Sequence, residues 1–270
     1  MKLAYQVSTP EVEKSPAVTS YQGDLAAAFA CLRETGYDGA ELMVCDPARV
    51  DRRLVGRLAR EYGLDIPMIC TGEVFGQGRA SFSDPDDGVR AEAVRRIRDA
   101  VDLAAALGAQ INLGRVRGGY VDGQPREVSY RRAFDAFMEI SDYAGGKGVI
   151  VALEPVNTLV INFINSTRDG LDMVRAVNRD NFRMMLDSAH MFIEDADIGD
   201  GIRESRGVCT YVHLSDSNRK YPGNCKIDFR HFIGLLRENG YAGYVSIEVF
   251  QVPDQDTALC RSYRHIKPLL

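Results

Sequence analysis

Residues 208–219, VCTYVHLSDSNR, indicate the fold class, because a strand-like apolar run ends there in a group of polar side chains. The pattern predicts a short buried strand with His213, Asp216 and Arg219 at its carboxyl end. Three other runs end in the same way: Val149–Asn157 with Glu154, Phe182–His190 with Asp187 and His190, and Tyr244–Phe250 with Glu248. Isolated buried charges are strongly disfavoured, so this repeated pattern indicates a bound partner, most economically a divalent metal.

Eight strand-like runs alternate with helix-like runs along the chain. We predict strands at 2–8, 39–45, 66–71, 111–114, 149–154, 182–187, 208–214 and 245–249. Helices are predicted at 25–35, 50–62, 86–107, 128–147, 166–177, 198–205, 229–239 and 254–269, with a loop at 72–84. This alternation is typical of a parallel sheet, and eight units favour one (β/α)8 TIM-barrel domain over residues 1–270. An open doubly wound sheet is the alternative, but no GxGxxG follows the first strand.

Composition narrows the class of protein further. The 270 residues are 45% hydrophobic and 26% charged. The net charge is -5, so the chain lacks the excess of positive charge that is typical of general nucleic-acid binding. No apolar run is long enough for a membrane helix, and the N-terminus does not resemble a signal peptide. Six cysteines without CxxC spacing predict free thiols in a reducing cytoplasm. We therefore expect a cytoplasmic protein with neither nucleic acid nor membrane as a partner.

The four polar strand ends predict a metal site. In a (β/α)8 barrel the catalytic groups lie at the carboxyl ends of the strands, where Glu154, Asp187, His213 and Glu248 would meet. Three carboxylates and one imidazole, without cysteine, suit Mn, Mg, Co or Fe better than a structural zinc. A metal with open positions would polarise a substrate carbonyl and acidify the hydrogen on the neighbouring carbon. Glu154 and Glu248, on distant strands, fit a pair of bases acting on opposite faces of that carbon.

Further polar residues near these strand ends are candidates for substrate binding. His190 could donate a hydrogen bond to a substrate oxygen, or it could simply cap the loop. Arg219 could neutralise an enediolate-like charge, or pair with Asp216. Arg115 and Arg117, in a glycine-rich loop, could bind a carboxylate or phosphate, although plain surface charge is an equal reading.

The motifs EPVN, MLDSAH, HLSDSNR and SIEV resemble those of the sugar isomerase/epimerase barrels of the xylose isomerase-like superfamily, and within it the ketose 3-epimerases. The resemblance covers nearly the whole chain. It implies a metal-dependent (β/α)8 enzyme whose Glu, Asp, His and Glu ligands correspond to Glu154, Asp187, His213 and Glu248. It also implies substrate contacts at His190 and Arg219, and we predict further substrate contacts at Asn157 and Arg115. Mn²⁺ is the expected metal, with Mg²⁺ or Co²⁺ as alternatives, and related barrels suggest a homo-oligomer, either dimer or tetramer.

Three segments are especially similar to the tagatose 3-epimerase-related branch, which includes 5-keto-L-gluconate epimerase: His213–Gly223, INLGRVRG at 111–118 and NFIN at 162–165. One position departs from the pattern. The family carries a substrate-contacting acid six residues after the first metal ligand, and Val160 stands there in this chain. The resemblance therefore implies the metal centre while leaving the substrate open.

Together these observations predict an epimerase of a keto sugar or keto sugar acid, inverting the carbon next to the ketone by two-base transfer through an enediolate held by the metal. An aldose–ketose isomerase of the hydroxypyruvate- or rhamnose-isomerase type is the main alternative. An endonuclease IV-like repair enzyme would need a histidine-rich trinuclear zinc site, and the chain has four histidines. An inosose-type dehydratase and a non-catalytic sugar-binding relative are further alternatives, although a pure binder has no use for two bases.

Overall fold

Eight parallel strands close into a barrel in the computed structural model, which describes residues 1–270. The strands pair in sequence order, and the first pairs with the last, so the sheet has no free edge. They are β1 (Lys2–Ser8), β2 (Gly39–Met43), β3 (Met68–Cys70), β4 (Gln110–Leu113), β5 (Val151–Leu153), β6 (Phe182–Asp187), β7 (Cys209–Leu214) and β8 (Tyr244–Ile247). The predicted (β/α)8 TIM barrel is confirmed.

Helices follow the strands and surround the barrel. They are α1 (Leu25–Thr35), α2 (Arg52–Tyr62), α3 (Gly72–Gly76), α4 (Asp87–Leu107), α5 (Arg126–Gly145), α6 (Thr167–Val177), α7 (Ser188–Glu194), α8 (Ile198–Glu204), α9 (Phe229–Glu238) and α10 (Gln255–Ile266). None of them combines the length and the apolar composition that a membrane-crossing helix requires.

Two short α-helices were not predicted. The α3 helix lies inside the segment expected to be a loop, where its terminal glycines, Gly72 and Gly76, hide the helical signal. The α7 helix begins directly after β6, because the Asp187 carboxylate accepts hydrogen bonds from the backbone N–H groups of Ala189 and His190 and so caps its first turn. Asp187 therefore ends a strand and starts a helix at the same point, which fixes the direction of its side chain.

Alternation along the strands separates two apolar layers. Side chains that point outward, such as Leu3, Tyr5 and Val7 of β1, belong to a core of 62 buried residues between the barrel and the helices. The inward side chains of several strands form a smaller cluster inside the barrel, made of Met68, Ala152, Met185 and Tyr211. The interior also holds buried polar residues, among them Gln6 and Glu41, which contact each other across β1 and β2.

The helix ends follow the sequence signals used to predict them. Asp24 caps α1, and Ser166 with Asp169 forms a capping box at the start of α6. The close packing of α6 on the barrel depends on Gly170. A Cβ atom at this position would lie 2.7 Å from Pro155 Cγ and 2.9 Å from Met184 Sδ. Since Pro155 directly follows Glu154, this contact supports a strand end that carries a candidate metal ligand.

We expect Gly170→Ala to destabilise the fold by about 1–3 kcal/mol, because the added methyl group overpacks this contact. Gly234 provides a matched control, since it lies inside α9 and an added Cβ would meet no atom within 4 Å. Gly234→Ala should stabilise the fold by about 0.5–1 kcal/mol through the loss of backbone freedom in the unfolded chain. Urea denaturation of both variants checks this pair, and equal effects would contradict the packing argument.

Candidate metal centre and active site

Four predicted ligands meet at the carboxyl end of the barrel. Glu154 directly follows β5, Asp187 ends β6, His213 lies in β7 and Glu248 directly follows β8. All four are buried, and one donor atom from each lies within 4.8 Å of the others. The structure thus brings together the four residues that the sequence analysis proposed as metal ligands.

In each of the three carboxylates, one oxygen accepts a hydrogen bond from a group outside the four-residue cluster. Asn112 Nδ2 donates to Glu154 Oε2 at 3.0 Å, and Thr19 Oγ1 donates to Glu248 Oε1 at 3.2 Å. Backbone N–H groups hold Asp187 Oδ1 at the start of α7, at 2.8 and 3.1 Å. The second oxygen of each carboxylate is therefore the one that faces the centre of the cluster.

His213 Nδ1 lies among these inner oxygens. It is 3.2 Å from Glu154 Oε1, 3.1 Å from Glu248 Oε2 and 3.8 Å from Asp187 Oδ2. Three acids and one imidazole converging in a buried site are costly unless a cation offsets their charge. The donor set, oxygen-rich and without thiolate, fits a hard or borderline divalent metal such as Mn²⁺, Mg²⁺ or Co²⁺.

Arg219 is the cationic side chain next to the cluster. Its Nη1 donates to Asp187 Oδ2 and its Nη2 to Glu248 Oε2, each at 2.6 Å. Burial raises the pKa of both carboxyls, but the guanidinium charge outweighs it and holds the two pKa values below their usual range. The alternative side-chain pairing with Asp216 is wrong, since that carboxylate instead accepts backbone N–H groups from residues 217 and 225–227.

The two histidines of the site have opposite environments. Burial lowers the pKa of His213, but the carboxylates of Glu41 and Glu248 outweigh burial and raise it well above its usual value. For His190, burial lowers the pKa and the Asp187 charge only partly opposes this effect, so the imidazole is neutral near pH 7. Its Nδ1 lies 2.7 Å from Asn157 Nδ2. Because the amide donates to Nδ1, the hydrogen of the neutral ring resides on Nε2.

A cavity of about 140 Å³ lies beside the cluster. Its lining includes Glu154 and Glu248 together with all four predicted substrate contacts, which are Asn157, His190, Arg219 and Arg115. A larger groove of about 740 Å³ lies on the outside between α4 and α5, where it meets none of the candidate ligands. The chemistry-bearing residues therefore identify the smaller cavity as the candidate active site.

Apolar side chains line another part of the same cavity. Ala17, Val156, Val160 and Phe250 contribute to the lining. Val160 lies in the loop after β5 and is 49% exposed, the position at which the family pattern expects an acid. The cavity thus joins a charged side, which carries two of the candidate metal ligands, to an apolar side.

Arg115 and Arg117 have different roles although they share one turn. Arg115 lines the cavity, and its Nη2 donates to the Gly72 carbonyl at 3.0 Å and to buried Glu73 at 2.8 Å. Arg117 is fully buried, so its interpretation as surface charge or as an anion-binding group is wrong. It donates instead to four backbone carbonyls, those of Gly114, Glu154, Phe163 and Ile164. Burial lowers the pKa of Arg117 to about 10, which leaves it charged near pH 7.

Several residues that support the ligands were given no role from the sequence: Gln6, Thr19, Glu41 and Asn112. Glu41 and Asn112 each interrupt a short apolar strand at an inward-facing position. A polar residue at such a position is a usable signal of a buried network, since a buried polar side chain needs partners. Gln6, in β1, gives the same signal, whereas Thr19 lies in a loop and gives none.

Fold and site together define a TIM barrel with a candidate metal centre, and comparison with known proteins identifies the family. A family model described as a xylose isomerase-like TIM barrel matches residues 29–269. An L-ribulose 3-epimerase of Mesorhizobium japonicum is 31% identical over 237 residues, covering 87% of this chain and 78% of that protein. A ketose 3-epimerase of Arthrobacter globiformis is 29% identical over 221 residues, covering 81% and 75%.

A solved structure shares the fold over the full length. The D-allulose 3-epimerase from Methylomonas sp. has a TM-score of 0.83 and 24% identity, and the match covers 100% of this chain and 98% of that one. The chain therefore belongs to the xylose isomerase-like TIM-barrel family. Like its epimerase relatives, it is an isomerase.

Replacing Arg117 by methionine should destabilise the protein by at least about 3 kcal/mol, because four buried carbonyls lose their donor and each unsatisfied group costs about 1–3 kcal/mol. Arg131→Met is the control, since Arg131 forms an exposed pair with Asp135 on α5. Such surface pairs contribute about 0–1 kcal/mol. Urea denaturation measures both variants, and a small effect at Arg117 would mean that its contacts are dispensable.

Proposed function

We propose that this protein epimerises a keto sugar or keto sugar acid at the carbon next to the ketone, with Glu154 and Glu248 as the two bases. The observation that carries the proposal is that these two carboxylates, directly after β5 and β8, line one small cavity and belong to the cluster of four residues that could hold a metal. The ketose named for one epimerase relative supports the substrate class.

Glu154, Asp187, His213 and Glu248 would hold one divalent metal ion, for which we propose Mn²⁺, with Mg²⁺ or Co²⁺ as alternatives. When bound, the ion would polarise the substrate carbonyl and acidify the hydrogen on the adjacent carbon. The oxygen-rich donor set supports this assignment.

The protein's own residues would then move the proton. One of the two glutamates removes it from one face of the carbon, and the other delivers a proton to the opposite face, which inverts the configuration. Arg219, within 2.6 Å of Asp187 and Glu248, would stabilise negative charge that develops on the substrate oxygens. His190, oriented by Asn157, would donate its Nε2 hydrogen to a substrate oxygen.

Two further properties complete the proposal. All six cysteines are free, which supports a reducing cytoplasmic environment. By analogy with related barrels, we propose a homo-oligomer, either a dimer or a tetramer.

We expect Glu154→Gln and Glu248→Gln each to lower turnover at saturating Mn²⁺ by at least roughly 100-fold, the scale of general acid–base catalysis. In deuterated water, each variant should exchange the reactive hydrogen in only one of the two epimers, since each keeps the base for one face. NMR on a panel of ketohexoses, pentuloses and keto-hexonates measures exchange and product together.

Metal content measured in parallel separates loss of a base from loss of the ion, and Asp187→Asn serves as a variant that alters a ligand without removing a base. A single glutamate variant that interconverted both epimers at the rate of the unmodified protein would contradict the two-base mechanism. An aldose product from the unmodified protein would instead identify an aldose–ketose isomerase.

We also propose that Arg115 binds the end of the substrate away from the reacting carbon. Glu73 and the Gly72 carbonyl hold its Nη2, which leaves its other donors for a ligand in the cavity. Arg115→Gln should raise KM for keto sugar acids by roughly 10- to 100-fold, the equivalent of one charge-assisted hydrogen bond. Neutral ketoses should be affected less.

Steady-state kinetics on acid and neutral substrates of matched carbon number check this prediction. Arg131→Gln, on the exposed surface of α5, controls for a general change in charge. An equal rise in KM for acid and neutral substrates would contradict a carboxylate contact at Arg115.

A further inference from the structure

The buried carboxylate of Glu41 contacts the Nε2 edge of the His213 ring, which points away from the ligand cluster. Glu41 lies in β2, is fully buried, and places its Oε1 2.9 Å from His213 Nε2. We propose that Glu41 is a positioning residue that holds His213 in the orientation and tautomer required to bind the metal. This inference rests on the proposed metal centre and extends it to a residue on the opposite side of the barrel.

The geometry assigns different tasks to the two ring nitrogens of His213. Nδ1 lies 3.1–3.8 Å from the inner oxygens of the three ligand carboxylates. Nε2 lies against Glu41, so a hydrogen on Nε2 is donated to that carboxylate and the Nδ1 lone pair remains for the metal. A flip of the ring would lose the bond to Glu41, which therefore selects one of the two ring orientations.

Glu41 is itself held in place from two sides. Its Oε1 also accepts from Gln6 Nε2 at 2.9 Å, and its Oε2 accepts from the Tyr211 hydroxyl at 3.0 Å. Tyr211 precedes His213 by two residues, so the same face of β7 presents both donors. The carboxylate is thus fixed by three strands, β1, β2 and β7, and cannot turn away from the imidazole without breaking these contacts.

A purely structural network would not need a carboxylate here. No lysine or arginine forms an ion pair with Glu41, and His213 is its one partner able to carry positive charge. A side chain able to carry negative charge is costly to bury unless a nearby positive charge can offset it. A metal held by the four candidate ligands would supply that charge, and a carboxylate behind a ligating histidine makes the ring a stronger donor.

The test is Mn²⁺ binding by calorimetry to purified full-length protein after chelation of endogenous metal. Glu41→Leu should weaken Mn²⁺ affinity by roughly 10- to 100-fold, the scale found for such supporting residues. Glu41→Gln keeps the shape and one acceptor oxygen, so it should show a smaller loss. Asp195→Asn is the control, since this half-buried acid bonds Thr167 and contacts no candidate ligand.

Two additional readouts separate positioning from simple structural support. A structural role would lower the melting temperature of the Glu41 variants while leaving the Mn²⁺ dissociation constant and the electron paramagnetic resonance spectrum of the bound ion unchanged. That result would overturn the inference. Glu41→Gln is nearly isosteric with the natural side chain, so the measurement can be made on this variant even if Glu41→Leu fails to fold. Failure of the unmodified protein to bind Mn²⁺, Mg²⁺ or Co²⁺ would instead overturn the metal centre and the mechanism proposed for it.

Discussion

The rest of the site depends on one electrostatic constraint, the convergence of three carboxylates in a buried volume at the end of the barrel. At an effective dielectric constant near 20, two unit charges about 4 Å apart repel by about 4 kcal/mol. Glu154, Asp187 and Glu248 therefore disfavour their own arrangement, and Arg219 offsets only part of the repulsion. The arrangement persists because each side chain is anchored at a strand end, and because a divalent cation is the natural partner of such a set.

The barrel meets this constraint with two layers of contacts. Parallel strands bring their carboxyl ends to one rim, so residues far apart in sequence become neighbours. Behind the ligands, hydrogen-bond partners on other strands, at a helix start or in a loop hold one atom of each: Asn112 for Glu154, the start of α7 for Asp187, Thr19 for Glu248 and Glu41 for His213. The other oxygen of each carboxylate and the Nδ1 atom of His213 point inward, where they contact one another or Arg219. The closed sheet thus supplies the preorganisation that loops alone would not.

Much of this arrangement is readable from the sequence, because strand period and strand ends carry the signal. The apolar runs that end in Glu154, Asp187, His213 and Glu248 predict both the barrel and the ligand set. Arg115 and Arg117 show what the strand pattern cannot predict. They flank Val116 in a single turn, yet one lines the cavity and the other is buried among carbonyls. That difference depends on how the turn packs against the loop at 163–164, a contact distant in sequence.

Glu41 also shows which features the sequence can and cannot predict. Its place between Ala40 and Leu42 in a buried strand predicts an inward polar side chain. Its partner, however, follows only from closure of the barrel, which brings β7 across from β2. The cavity lining lies further still from the sequence signal, because Arg115, Val160 and Phe250 come from loops and turns whose geometry the strand pattern does not determine. A barrel of this kind keeps its reaction chemistry on rigid strand ends and its substrate choice on the connections between them. The class of reaction can therefore be inferred from sequence more directly than the substrate.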